Sequence, residues 1–183
     1  MSMKHPIIVV TGSSGAGTTT VKHTFEGIFW REKVNAAIIE GDSFHRYTRD
    51  EIRERIVKAE SQGQRGISHF GPEANLLEEL EHLFRTYGES GYYLHHAEEA
   101  SRRGLKVGSF TPWEEHPPDA DCLFYEGLHG AVTTDKVNTG RHADLLIGVV
   151  PITNLEWIQK IHRDTKTRGY SLEAVQETIL RRM

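Results

Sequence analysis

A glycine-rich segment between an apolar run and an amphipathic run most constrains what this 183-residue chain can fold into. The β-branched run at residues 7–10 predicts a buried strand, and the apolar spacing of residues 19–32 predicts a helix. Between them, residues 12–19 match the pattern G-x-x-x-x-G-x-[ST]. This order predicts a P-loop, in which backbone N–H groups and the helix N-terminus bind phosphate; a glycine-rich turn without a ligand is the alternative.

One position of the loop departs from the usual pattern. Thr18 stands where a lysine normally contacts the β- and γ-phosphates, whereas Thr19 occupies the position whose hydroxyl binds Mg²⁺. The loop therefore predicts ATP binding with a cation supplied from elsewhere. The residues that we expect to contact the ATP phosphates are Gly12, Ser13, Ser14, Gly15, Ala16, Gly17, Thr18, Thr19 and Thr20.

A basic cluster near the end of a predicted helix is the best source of the missing positive charge. It consists of Lys160, Arg163, Lys166 and Arg168. Such a cluster is often only a solvated helix face, so this interpretation depends on the absence of the P-loop lysine. Cationic side chains brought over a transferring phosphoryl group stabilise the charge that develops on it.

The remaining pattern alternates strands and helices, which predicts an α/β fold with a mostly parallel sheet flanked by helices. We expect one domain over residues 1–183, because no linker or repeat divides the chain. Residues 90–118 are irregular, with one or two short strands. Further strands are expected at 36–40, 122–127 and 143–150, and further helices at 49–60, 73–87, 154–164 and 171–182.

Two carboxylates follow predicted strands, where the ligand crevice of a parallel sheet lies. Asp42 comes just after the strand at 36–40 and is a hypothetical general base for an acceptor hydroxyl. Glu126 ends the strand at 122–127 and is expected to serve Mg²⁺, directly or through water. For both residues, capping of a turn or a strand end is the alternative.

Basic residues after Asp42 suggest an acceptor that already carries a phosphate. Arg49 and Arg53 are four positions apart and share a helix face, and guanidinium groups suit phosphate recognition. Solvated helix charges are the alternative. The same acceptor site is expected to include His45, Arg31, Tyr93 and His95, with His96 beside them.

Composition excludes several classes. The net charge of −4 and pI of about 6.3 do not indicate nucleic-acid binding. A single cysteine, Cys122, excludes an internal disulfide and reads as a buried thiol. No apolar run is long enough for a membrane span, and no signal peptide is evident. We therefore expect a cytoplasmic location.

Four blocks, at residues 10–18, 40–46, 124–130 and 154–164, together resemble the bacterial phosphoribulokinases of the phosphoribulokinase/uridine kinase family. The likeness covers essentially the whole chain and includes the lysine-free P-loop. It implies a fold like that of the nucleoside monophosphate kinases, a homo-oligomer, and the Calvin cycle reaction, in which ATP with Mg²⁺ phosphorylates D-ribulose 5-phosphate.

The same resemblance implies roles for residues at matching positions. Asp42 would be the catalytic base and Glu126 would serve the metal. Contacts to the ATP phosphates and the transition state would come from Lys160, Arg163 and Arg168. Contacts to or near the sugar phosphate would come from Arg31, His45, Arg49, Arg53, Tyr93 and His95. An allosteric response to NADH would involve Arg181 and Arg182.

Two departures from the family pattern accompany the resemblance. Family chains continue further, and this one ends inside a helix pattern without a cap, so we expect a missing C-terminal portion. A few residues also look missing near Gly91 and Tyr92.

Two other functions stay open. One is a related P-loop kinase for another sugar phosphate, or for uridine or pantothenate, although the arginines after Asp42 disfavour a neutral acceptor. The other is a non-catalytic nucleotide-binding regulatory protein, which the presence of Asp42 and Glu126 disfavours.

Overall fold

A computed structural model describes residues 4–63, 67–95, 110–166 and 169–180. In chain order, the helices and strands are β1 (Ile7–Gly12), α1 (Thr18–Glu32), β2 (Ala36–Glu40), α2 (Arg49–Ser61), α3 (Leu77–Ser90), β3 (Tyr93–His95), β4 (Glu114–His116), β5 (Cys122–Gly127), β6 (Leu145–Val149), α4 (Thr153–Lys166) and α5 (Leu172–Leu180).

Four of the strands form one parallel sheet in the order β2-β5-β1-β6. Strand β5 therefore lies between β1 and β2, with Val10 and Glu40 each beside Glu126. Strands buried on both faces read as continuous apolar runs, as β1 does. The predicted α/β fold with a mostly parallel sheet flanked by helices is confirmed.

Helices cover the two faces of this sheet with separate apolar clusters. On one face, α3 contributes Leu80, Phe84 and Tyr87, which pack against Ile7 and Tyr125. On the other face, Phe25 and Phe29 of α1 contact Phe124, with ring centroids 5.1 and 5.6 Å from it. The aromatic side chains at helical spacing in α1 therefore fix that helix against β5.

The helix predicted at 73–87 begins later than expected, at Leu77. Residues 72–74 form a separate 3₁₀ turn, and the backbone after it pairs with the segment that follows β2. The Leu76 N–H donates to the Phe44 carbonyl at 2.7 Å, and the Arg46 N–H donates to the Ala74 carbonyl at 2.8 Å. Tertiary backbone pairing therefore displaced the helix start that periodicity predicted.

The irregular region contains the short strands that were expected. Strands β3 and β4 form an antiparallel pair apart from the main sheet. Cys122 is buried on β5, as predicted, and burial raises the pKa of its thiol to about 11. Within the described part of the chain, no helix is both long and apolar enough to cross a membrane.

Candidate active site

An open cleft of about 1020 Å³ lies at the carboxyl ends of β1, β2 and β5. Parallel strands present their carboxyl ends at one edge of the sheet, which is where such folds bind ligands. The cleft brings together the loop after β1, the turn after β2, the end of β5, and parts of α2 and α4. Most of the residues predicted for donor and acceptor therefore share one cavity.

The loop between β1 and α1 has the conformation that a phosphate-binding loop needs. Gly15 and Gly17 adopt positive φ angles of 103° and 98°, which favour glycine. A Cβ on Gly12 would lie 2.7 Å from the carbonyl oxygen of Val149, so the strand end allows no larger residue there. All residues from 12 to 20 line the cleft except Ala16, which is buried.

Glu126 stands beside other acids at the bottom of this cleft. Burial raises the pKa of its carboxyl group, and Asp42 and Glu40 raise it further, while the Thr18 hydroxyl donates a hydrogen bond that opposes the rise. Thr18 and Glu126 therefore lie close together in the lining of the cleft. At the position of the usual loop lysine, this chain therefore has a neutral hydroxyl beside an acidic residue.

A lysine that the sequence analysis overlooked also lines the cleft. Lys22 lies one helical turn after Thr18, its side chain is 11% exposed, and its ammonium group forms an ion pair with Glu40. Burial alone would lower its pKa, but the hydrogen bond and charge of Glu40, with smaller contributions from Glu26 and Glu126, raise it. The four-residue spacing from Thr18 could have identified this cation.

Helix α4 brings two members of the predicted basic cluster, Lys160 and Arg163, to the phosphate loop. Arg163 Nη2 donates to Ser14 Oγ at 3.4 Å, and the Lys160 side chain lies near Gly15. Both cations share one buried carboxylate: Lys160 Nζ is 2.6 Å from Asp164 Oδ2, and Arg163 Nε is 2.9 Å from Oδ1. Lys166 is exposed further along the helix.

Asp164 was not among the predicted site residues. Burial would raise the pKa of its carboxyl group, but hydrogen bonds from Arg163 and Lys160 outweigh burial and lower it. Asp164 thus stays ionised and holds both cations at the loop. Its spacing from Lys160, four residues on one helix, is a signal that could have been read.

The acceptor side of the cleft is built around the 3₁₀ turn Gly41–Phe44 that follows β2. The side chain of Asp42 is 69% exposed and faces the cleft, with Oδ1 3.5 Å from His45 Nε2. Arg49 and Arg53 of α2 line the same cavity. The predicted base and the predicted phosphate ligands are therefore brought together.

The turn that carries Asp42 is held close to the sheet by glycines. A Cβ on Gly41 would lie 2.6 Å from Tyr125 Oη, and one on Gly127 would lie equally close to it. The two glycine backbones therefore pass directly over the Tyr125 side chain. This close approach sets the height of Asp42 above β5.

Three predicted acceptor residues are placed elsewhere. Arg31 is near the far end of α1, about 20 Å along the helix from Thr18 at 1.5 Å per residue, and pairs with Glu32. Tyr93 stacks on His116 at 4.7 Å in the β3–β4 pair. His95 Nε2 lies 3.3 Å from the Oγ of Ser43, the neighbour of Asp42 in the chain, but His95 does not line the cleft.

Several of the predicted residues cannot be placed. Arg168, Arg181, Arg182 and His96 lie outside the described residues. Their predicted roles stay predictions.

Histidines from two other segments complete the acceptor side. The His69 ring lies 4.1 Å from the His45 ring, and His129 Nε2 donates to the Phe70 carbonyl at 3.0 Å. Burial lowers the pKa of His129, and the nearby His45 lowers it further. The sequence pattern assigned no role to His69, because periodicity carries no information about which loops fold over a site.

The strand order, the loop and the site geometry define a P-loop kinase fold, and solved structures agree. The chain matches a phosphoribulokinase from Rhodobacter spheroides with a TM-score of 0.84 and 54% identity, over 97% of this chain and 62% of that one. A putative fructose transport system kinase from Silicibacter shares the fold, with a TM-score of 0.67 and 16% identity, over 94% of this chain and 78% of that one.

Residues 7–183 match the model of the Phosphoribulokinase / Uridine kinase family, so the chain belongs to this family. It is 60% identical to a phosphoribulokinase of Nitrobacter vulgaris and 59% identical to the chromosomal phosphoribulokinase of Cupriavidus necator. These matches cover the whole of this chain, which spans 65% and 64% of the two relatives' lengths. The resemblance to bacterial phosphoribulokinases is confirmed.

Proposed function

We propose that this chain transfers the γ-phosphoryl group of ATP to a hydroxyl of D-ribulose 5-phosphate, giving ADP and ribulose 1,5-bisphosphate. The single observation that carries the proposal is that one cleft holds both the phosphate loop and Asp42 with two arginines. A phosphoryl donor and an anionic acceptor can therefore meet there. Relatives about 60% identical are named phosphoribulokinases.

On the donor side, backbone N–H groups of the loop and the N-terminus of α1 bind the polyphosphate. Arg163, held by Asp164 and close to Ser14, lies where it can stabilise charge on the transferring group. Lys160, which is paired with the same Asp164 carboxylate, supplies a second positive charge. These two residues take the part of the absent loop lysine.

On the acceptor side, Asp42 accepts the proton of the attacking hydroxyl as the new O–P bond forms and the bond to the ADP leaving group breaks. Its exposed carboxylate suits this role because a substrate can reach it. Arg49 and Arg53 bind the phosphate that the acceptor already carries.

The residues present fit a Mg²⁺ ion bound together with ATP. Glu126 and Thr19 would hold it: both line the cleft, and Asp42 and Glu40 add negative charge beside Glu126 that a cation would offset. In the described ranges no three His, Cys, Asp or Glu side chains form a ready metal cluster. This agrees with Mg²⁺, which usually takes one or two carboxylates plus phosphate and water. Bound there, it would neutralise phosphate charge.

An ADP-release assay with ribulose 5-phosphate, other sugar phosphates, uridine and pantothenate tests the proposal. We expect turnover with ribulose 5-phosphate, and a loss of about 10²–10⁴-fold in Asp42→Asn with ATP affinity retained. Asp135→Asn, an exposed carboxylate away from the cleft, is the matched control. Turnover only with another acceptor would change the substrate, and ATP binding without any turnover would favour a regulatory protein.

The remaining expectations concern the molecule beyond this cleft. Assembly into a homo-oligomer, a cytoplasmic location and the absence of nucleic-acid partners stay predictions. So does a response to NADH, since Arg181 and Arg182 lie outside the described residues.

A further inference from the structure

Asn75 is a fully buried amide behind the acceptor side of the cleft. Its exposure is 0%, and it follows the 3₁₀ turn that precedes α3. No sequence pattern singles out Asn75, because it lies inside the segment predicted to be helical. A buried amide has two donors and one acceptor oxygen to satisfy.

The partners of Asn75 fix which way its amide points. Nδ2 donates to two backbone carbonyls, of His69 at 3.1 Å and of Gly71 at 2.7 Å. Carbonyl oxygens can only accept, so the nitrogen must face them. Oδ1 is therefore the atom that faces His45 Nδ1, at 2.7 Å. Because Oδ1 can only accept, Nδ1 of His45 must carry a proton.

We propose that Asn75 is a positioning residue that holds His45 in the form protonated on Nδ1, so that Nε2 is the atom presented to the acceptor. The effect of this arrangement on catalysis rests on the proposed function. Nε2 lies 3.5 Å from Asp42 Oδ1, on the cleft side of the ring. With Nδ1 committed to Asn75, Nε2 can accept from a substrate hydroxyl or, in the imidazolium form, donate to a phosphate oxygen.

Two further contacts restrict the same imidazole. The His69 ring lies 4.1 Å from it, and the backbones of His45 and Asn75 form an antiparallel bridge. The Asn75 amide thus ties the loop that carries His69 to the turn that carries Asp42. The hydrogen bond made by one imidazole nitrogen decides which nitrogen is protonated, and here that bond is inside the fold.

Nuclear magnetic resonance of ¹⁵N-histidine-labelled, ligand-free protein tests the assignment without requiring activity. The chain has eleven histidines, so the signals of His45 are identified by their loss in His45→Gln. We expect the wild type to show a protonated Nδ1. A neutral His45 protonated on Nε2 in the wild type would overturn the proposal, whatever the chain phosphorylates.

Two variants separate the tautomer from the anchoring of the loop. Asn75→Asp keeps an acceptor for Nδ1 but loses both amide donors, whereas Asn75→Ala loses all three contacts. We expect His45 to stay protonated on Nδ1 in Asn75→Asp and to shift toward Nε2 in Asn75→Ala. Equal behaviour of the two variants would mean that Asn75 only holds the loop, and would overturn the proposal.

Kinetics then test the effect on the acceptor. In Asn75→Ala we expect the KM for ribulose 5-phosphate to rise about five- to tenfold, the size of one hydrogen bond, while the KM for ATP changes less than about twofold. The rise should vanish when His45→Gln is already present. An equal rise in both backgrounds would show that Asn75 does not act through His45. If the wild type shows no turnover, the proposed function is wrong, and the resonance measurement still decides the protonation of His45.

Discussion

Arg163 on α4 donates a hydrogen bond to the hydroxyl of Ser14, joining the phosphate loop to a residue 149 positions away. The contact is 3.4 Å long, and the other side of the guanidinium group is held by Asp164 at 2.9 Å. A planar side chain fixed at both edges is already oriented toward the phosphate loop before any ligand binds. This pre-orientation leads to the first prediction.

Replacing Arg163 should lower the rate of phosphoryl transfer more than nucleotide binding. We expect Arg163→Ala to reduce kcat by about 10²–10³-fold, the cost of one preorganised charge at a transition state. Steady-state kinetics with ATP and ribulose 5-phosphate measure this. Lys166→Ala, which removes an exposed cation of the same helix, is the control and should retain activity. Equal losses in both variants would mean that only the general charge of α4 matters.

Asp164 should matter for stability because it neutralises a buried lysine. Asp164→Ala removes the carboxylate that neutralises Lys160, which is 6% exposed, and we expect a loss of about 3 kcal/mol in the free energy of unfolding. Urea denaturation at pH 7 measures it. The double variant Lys160→Met with Asp164→Leu should recover most of the loss. If it is as unstable as the single variant, the pair is not the cause.

The same residue predicts a dependence on pH. The pKa of the folded-state Asp164 carboxyl group is below its ordinary value of 3.8. Its stabilisation is therefore complete above the ordinary value and is lost as the pH falls through the lowered pKa. The difference in unfolding free energy between wild type and Asp164→Ala should shrink toward acid pH. A constant difference would contradict this.

Glu126 should destabilise the ligand-free protein while serving catalysis. Its pKa is raised above 4.5 by burial and nearby acids, so its ionisation at neutral pH opposes folding, and the cost grows as the pH rises through that range. Glu126→Gln should therefore raise Tm by about 2–4 °C without ligand. It should also lose most of the stabilisation by Mg·ATP. Glu89→Gln, at the exposed end of α3, should change neither quantity.

Lys22 should be needed for nucleotide binding because it offsets the charge of Glu40. Without it, Glu40 and Glu126 face the polyphosphate uncompensated. We expect Lys22→Met to weaken ATP binding at least about tenfold, measured by calorimetry. Adding Glu40→Gln should restore part of the affinity. Lys58→Met on α2 removes an exposed charge as a control, and unchanged ATP affinity in Lys22→Met would contradict the role.

The sequence predicted those parts of the site that follow directly from strand ends. Gly12, Asp42 and Glu126 each come at or just after a strand, and a parallel sheet brings such positions together whatever the loops do. Helical spacing also predicted that Lys160 and Arg163 share one helix, and the absence of the loop lysine was the reason to expect them near the loop.

What could not be predicted depends on contacts between distant segments. Arg31 resembled the other acceptor arginines in type, but its position on α1 puts it at the opposite end of the helix from the loop. Asn75 reaches the site through backbone pairing of its segment with residues 44–46, and its side-chain amide binds the His69 carbonyl; neither periodicity nor spacing reveals these contacts. The predicted helix start at residue 73 was wrong for the same reason.

The placement of β5 between β1 and β2 has a consequence for how the reaction partners approach. Donor loop and acceptor turn stand two strand spacings apart, roughly 10 Å, and this separation is held by backbone hydrogen bonds. The gap is therefore insensitive to side-chain substitutions in the cleft. Tightening around bound substrates is instead left to elements outside the sheet, such as α2 and α4, which carry the arginines. Substitutions there can change which acceptor binds without changing the distance between the phosphate loop and Asp42.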